Sequence, residues 1–138
     1  MTEHGLDADP RLHFLQHIGL RFLGGDEQHA ACEIDLRADL RNSGGMLQGG
    51  LTATLIDVAG GILAARVAGT RSCVTADMNI HYLSPGRVGP IRADGSVLRA
   101  GRRSIVIEVR VIDTGTADRL VAVGVITMAV LGSRPQPD

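Results

Sequence analysis

Aromatic side chains are almost missing from this 138-residue chain: Phe14, Phe22 and Tyr82 are the only three, and there is no tryptophan. Readers of single-stranded nucleic acid stack bases on several such rings, so that class of function is disfavoured and the core must be aliphatic. Lysine is absent altogether. The basic side consists of 14 arginines against 15 acidic residues, a formal net charge of −1, which leaves no cationic excess to drive binding to a phosphate backbone. Cysteine is scarce. Cys32 and Cys73 have neither CxxC spacing nor a histidine pair beside them, so they are expected to be reduced core residues and neither a zinc site nor a disulfide framework is indicated. His4, His13, His17, His29 and His81 share no metal-ligand spacing, so no metal is expected, and no cofactor is implied. The most apolar window, residues 51–67, is shorter than the roughly 20 residues of a spanning helix and carries Asp57 and Arg66, so no membrane segment is expected. The first residues, MTEHGLDADPR, are polar and acidic where a secretory signal would be basic and then apolar, so a cytoplasmic location is expected.

What the chain has in abundance is glycine, 18 residues, together with an alanine-rich middle. The length fits one domain over residues 1–138. Asp9 and Pro10 are an N-cap and first helical position for a short helix that Gly19 ends. Residues 20–23 and 29–36 are expected to form a hairpin, the second strand placing Ala30, Cys32, Ile34 and Leu36 on one face. A helix is expected over residues 48–67, apolar all round and so buried on most sides. Its Gly50, Ala53, Ala59, Gly60, Gly61, Ala64 and Ala65 would let a sheet approach closely. Gly60 and Gly61 each cost about 1 kcal/mol in helix propensity relative to alanine, which tight packing would offset. Strands follow over residues 72–82, 91–100, 104–112 and 119–131, and the SRPQPD tail is polar. In the first of these strands simple alternation sets Val74, Ala76, Met78, Ile80 and Tyr82 or Leu83 against Cys73, Thr75, Asp77, Asn79 and His81. The fold class is α+β, an antiparallel sheet covering one long helix. One helix cannot cover both faces of such a sheet, so self-association is expected.

Asp57 lies well inside the apolar helix, where an ionised carboxylate is costly unless paired, hydrated or protonated. Its neighbours one turn away, Ala53, Thr54, Gly60 and Gly61, are small and leave a hollow beside it. Isolated acids of this kind are site candidates; the structural alternatives are an acid in the N-terminal half of a helix favoured by the macrodipole, or one paired with an arginine of another strand. At the start of the same helix Gly49 and Gly50 offer free backbone N–H groups at the positive end of the dipole, suited to a developing oxyanion or simply to a tight helix entry. An amide-bearing helix start and a carboxylate two turns on suit acyl transfer.

Taken together, Asn42, Gly45, Gln48-Gly49-Gly50, Asp57, the run Val74-Thr75-Ala76-Asp77-Met78-Asn79-Ile80 and Tyr82-Leu83 with Pro85 resemble the phenylacetic-acid-degradation type acyl-CoA thioesterases of the hot-dog superfamily. The resemblance extends through Gly101-Arg102 to the last strands. It implies a hot-dog fold of five to six strands wrapped around one central helix. It also implies a homodimer with active sites at the interface, often a dimer of dimers, and an acyl-CoA substrate whose coenzyme A needs no further cofactor. By the same resemblance Gly49 would donate its N–H to the thioester oxygen, with Asn42 holding the carbonyl or the attacking water. Asp57 of the facing subunit would be general base or nucleophile, and Thr75 would position the water.

One departure stands at Gln48, where the family usually has histidine. Glutamine keeps a hydrogen-bonding side chain and cannot take up charge near neutrality. The alternative reading is therefore a hot-dog module that binds acyl-CoA without turning it over; a dehydratase is disfavoured because the helix lacks a paired histidine and acid. Arg87, Arg102 and Arg103, in expected turns, are candidates for the phosphates of coenzyme A, or solvated turn cations.

Overall fold

The computed structural model describes residues 13–133. The expected N-terminal cap at Asp9 and Pro10, His4, and residues 134–138 of the tail lie outside the described residues. The described chain begins with α1 (His13–His17), which Gly19 ends at a φ of 72°. It continues through β1 (Arg21–Gly25), β2 (His29–Ile34), a 3-10 turn (Ala38–Leu40), α2 (Gly49–Ala68), β3 (Arg71–Tyr82), β4 (Ile91–Ala100), β5 (Ser104–Asp113) and β6 (Arg119–Ser133). The six strands form one antiparallel sheet in the order β1-β2-β4-β5-β6-β3. Its concave face wraps α2, as the α+β expectation required, and β3 is left as one edge.

The core is aliphatic throughout. Leu55, Ile56, Ala59, Leu63 and Ala64 of α2 meet Ile34, Ile91, Ile105, Ile107, Val109 and Ile126 of the sheet, all fully buried. The alternation read in β2 holds, with Ala30, Cys32 and Ile34 buried, although the strand ends at Ile34 and Leu36 is buried beyond it. By length and composition α2 resembles a membrane-crossing helix, 20 residues long with a mean hydropathy of 1.5 over its most apolar 18, but the sheet encloses its inner face.

Small residues explain how closely helix and sheet approach. A Cβ on Gly60 would stand 2.5 Å from Ile126 Cγ2, and one on Gly124 would stand 2.8 Å from Ile56 Cδ1. The expectation that all the small residues of α2 face the sheet is corrected, however. Ala59, Gly60 and Ala64 do, whereas Gly50 is exposed, and Gly61 would carry a Cβ with nothing within 4 Å. The helix is therefore buried on one side of the single chain, and Asp57 belongs to its outer side as an exposed residue.

A second correction concerns β3. Thr75 pairs with Met128 and Asp77 with Thr127, so the register slips by one residue between them. A β-bulge of this kind shifts the alternation of everything that follows. Cys73 and Thr75 face the helix before the bulge, and Met78 and Ile80 pack toward the core after it, while Asp77 and Asn79 fall on the outer face. Simple alternation puts Thr75, Asp77 and Asn79 together, and the bulge separates them.

Candidate active site

The start of α2 is fixed from three directions. The Gln48 N–H donates to the Leu40 carbonyl at 3.1 Å, and the Leu47 N–H to that of Gly86 at 2.9 Å. The loop before it is folded on itself: Asn42 Oδ1 accepts from the backbone N–H groups of Gly44 (2.9 Å) and Met46 (3.1 Å). That commits the Asn42 oxygen to the loop and leaves its Nδ2 as the free donor. The Gly49 N–H is one of the orphan donors of the first helical turn and has no acceptor among the described residues. Tyr82, the last residue of β3, donates its hydroxyl to the Gly49 carbonyl at 2.8 Å. These residues line a cleft of about 390 Å³, with Asn42, Gly49, Thr52, Tyr82, Ser84 and Gly86 in its walls.

The second group lies further along the helix. Thr75 donates its hydroxyl to Asp57 Oδ1 at 2.6 Å, with Met128 Sδ 3.4 Å from the same hydroxyl oxygen. The threonine has a single proton, so it donates to the carboxylate and keeps lone pairs to accept from a water. Among the described residues no arginine pairs with Asp57, which removes the ion-pair alternative for this acid. Thr75 and Asp57 are therefore brought together as expected, and so are Asn42 and Gly49.

The two groups are not brought together within one chain. Gly49 and Asp57 are eight residues apart on a continuous helix, which is about 12 Å along the axis. A carbonyl resting on the Gly49 N–H is out of reach of the Asp57 carboxylate of the same chain. Gln48 is the exposed N-cap residue, and its side chain makes no cap hydrogen bond. Arg87 is exposed next to Gly86 at the rim of the cleft. Arg102 and Arg103 sit in the β4–β5 turn, where the Arg103 carbonyl accepts from the Val130 N–H, at the Thr75 end of the sheet. The arginines therefore divide between the two groups. Among the described residues no three His, Cys, Asp or Glu gather as a metal-binding set.

Sequence reading missed Asp113, which along the chain is only a turn residue. It is fully buried at the end of β5, and its carboxylate accepts from the backbone N–H groups of Arg87 (2.8 Å), Val88 (3.1 Å), Gly89 (2.8 Å) and Gly115 (3.2 Å) and from the Thr116 hydroxyl (2.8 Å). Burial by itself would raise its pKa, but the hydrogen bonds from Arg87, Gly89, Val88 and Thr116 outweigh it and hold the group down at about 2. This acid shapes the loop that runs on from Gly86 in the cleft wall. Neither cysteine is in a disulfide, and burial, with Asp94 and Glu33 nearby, pushes the Cys32 thiol up to about 12.

Comparison with known proteins bears on this arrangement. Residues 44–119, which include Gly49, Asp57, Thr75 and Tyr82, match the family model of the Thioesterase superfamily. Human acyl-coenzyme A thioesterase 13 is 33% identical over 94 residues, covering 67% of this chain and 66% of that protein. A candidate esterase of Saccharolobus solfataricus is 32% identical over 92 residues, with the same two coverages, so the chain spans 66% of the length of each. The crystal structure of a Streptococcus mutans protein bound to acetyl-CoA superimposes with a TM-score of 0.75 at 26% identity, covering 84% of this chain and 91% of that one. With its six-stranded sheet closed around one helix and this match across its middle, the chain belongs to the thioesterase superfamily and has the hot-dog fold.

Proposed function

We propose that this chain hydrolyses an acyl-CoA thioester to the free acid and coenzyme A, in a site that two copies of the chain build together. The observation that carries the reading is the division of the apparatus: a free amide and a cleft at Gly49, and a threonine-held carboxylate at Asp57, about 12 Å apart on one helix. β3 supplies the means of joining them. It is a 12-residue edge strand with unpaired backbone groups, and Val74 within it and Leu83 just beyond it are 48% and 57% exposed. An edge of that length is a template for pairing. Two copies joined along β3 make one continuous sheet, and two such dimers can pack further into a tetramer. The relation to a human acyl-CoA thioesterase and to a protein that holds acetyl-CoA supports the substrate class.

In this arrangement the thioester carbonyl rests against the Gly49 N–H of one copy, with Asn42 Nδ2 beside it. Asp57 of the other copy acts as general base through Oδ2, because Oδ1 is engaged by Thr75. Thr75 accepts one hydrogen of the attacking water, Asp57 takes the other proton, and the water oxygen bonds to the carbonyl carbon. The oxyanion forms at the amide. Collapse breaks the C–S bond and releases the coenzyme A thiolate, a good leaving group that needs no strong acid. Gln48, free at the helix start, replaces the family's usual histidine as a neutral hydrogen-bonding group. Arg87 at the cleft and Arg102 and Arg103 at the Thr75 end are suited to the coenzyme A phosphates.

The test is an acyl-CoA panel with thiol detection on the wild type and Asp57→Ala. Turnover by the wild type and a loss of about 10³-fold in the variant are expected, within the range assigned to general-base catalysis. Undiminished turnover in Asp57→Ala overturns the role of the acid. Binding of coenzyme A esters by the wild type without any product favours the non-catalytic module instead.

A further inference from the structure

Tyr82 has no role in the reaction described above, yet it touches the oxyanion donor. Its hydroxyl donates to the Gly49 carbonyl at 2.8 Å, and its ring faces Gly49 so closely that a Cβ there would meet ring carbon Cε1 at 3.6 Å. We propose that Tyr82 is a positioning residue for thioester hydrolysis. It clamps the first peptide of α2, which joins the Gly49 carbonyl to the Gly50 N–H, and so holds the adjoining Gly49 N–H on the cleft.

Three observations carry this. The first turn of a helix is the part most prone to fray, and here the N-cap side chain contributes no hydrogen bond. Tyr82 thus supplies a restraint that Gln48 does not. Second, Tyr82 is itself half exposed in the cleft wall, at 57%, so burial alone does not account for its hydroxyl being placed on that carbonyl.

Third, the geometry of β3 is arranged for the contact. Thr75 and Tyr82 are seven residues apart, and in a regular strand an odd separation points two side chains to opposite faces. The bulge between Thr75 and Asp77 adds the residue that brings both to the helix side. One edge strand therefore holds the base at Asp57 with one hydroxyl and the amide at Gly49 with another.

The inference rests on the thioesterase reading, and its test separates the two. Tyr82→Phe keeps the ring and removes only the hydroxyl. Kinetics on the best acyl-CoA are measured together with the backbone NMR order parameters of Gly49 and Gly50, well below the melting temperature. The expected result is a kcat lowered about tenfold with KM within about twofold, since the lost restraint acts on transition-state placement. The order parameters of Gly49 and Gly50 should fall from the rigid range, about 0.85, toward about 0.6, while the middle of α2 is unchanged. Unchanged order parameters at those two amides overturn the clamp, as does an unchanged kcat in an active enzyme. A uniform loosening along α2 with a fallen melting temperature also overturns it, by making the hydroxyl merely structural. If the wild type hydrolyses no thioester, the functional reading fails, and the order parameters still decide whether Tyr82 holds the helix start.

Discussion

Replacing Asp113 by asparagine should weaken the fold and strip it of much of its acid sensitivity. The native carboxylate is held at about 2 against an ordinary 3.8. A depressed carboxylate stabilises the folded state above its unfolded pKa, and that contribution is lost as pH falls through the folded value. The shift corresponds to roughly 2.5 kcal/mol, fully present above about pH 5 and lost between about pH 4 and 2. An asparagine side chain in this place would keep one oxygen but turn an NH2 toward backbone N–H groups from which the carboxylate now accepts. A loss of about 3 kcal/mol at pH 7 is expected, because buried donors are left without an acceptor. For a chain of this size that lowers the melting temperature by about 10 °C. Thermal unfolding of both proteins at fixed protein concentration, from pH 7 to pH 2.5, measures it. The wild type should lose stability relative to Asp113→Asn across the acid range, so that the gap between them narrows. A constant gap, or a variant as stable as wild type at pH 7, would refute the reasoning.

Two further outcomes follow from packing and burial. Gly60→Ala should destabilise by about 1–3 kcal/mol in chemical denaturation, because its new methyl meets Ile126 at 2.5 Å, despite a better helix propensity. Gly61→Ala, with nothing within 4 Å, should be neutral or stabilising by up to about 1 kcal/mol; equal effects at both positions would contradict the placement of the two faces. Under native conditions at pH 8 a thiol reagent should leave Cys32 unmodified, since burial holds its thiol at about 12; labelling of Cys32 in folded protein, read by mass spectrometry, would contradict that.

Much of this structure was legible along the chain because its signals are local. Alternation in residues 29–34 and 104–113 marks strands whose inner residues are buried, and the apolar run from Gly49 marks the helix to within a residue. The candidate site was legible as far as Gly49 and Asp57 lie on one helix and Thr75 on the strand that follows it. What escaped was what depends on a neighbour. The bulge in β3 is set by pairing with β6, so simple alternation groups Cys73 and Thr75 with Asp77 and Asn79, although only the first two face the helix. Asp113 reads as a turn residue, since the amides it accepts from belong to a loop 24 to 26 residues earlier. Asp57 sits in an apolar sequence context and is nevertheless exposed, because the described residues leave the outer side of α2 open at that point.

The bulge in β3 also limits how this strand can change length. Its two hydroxyl contacts to the helix survive only while the number of residues between Thr75 and Tyr82, bulge included, keeps its parity. A single-residue insertion or deletion in that interval turns one hydroxyl away from the helix, whereas a change of two residues leaves both facing it. The segment is thus counted in pairs, and a related chain one residue longer or shorter there would need a second irregularity to recover both contacts.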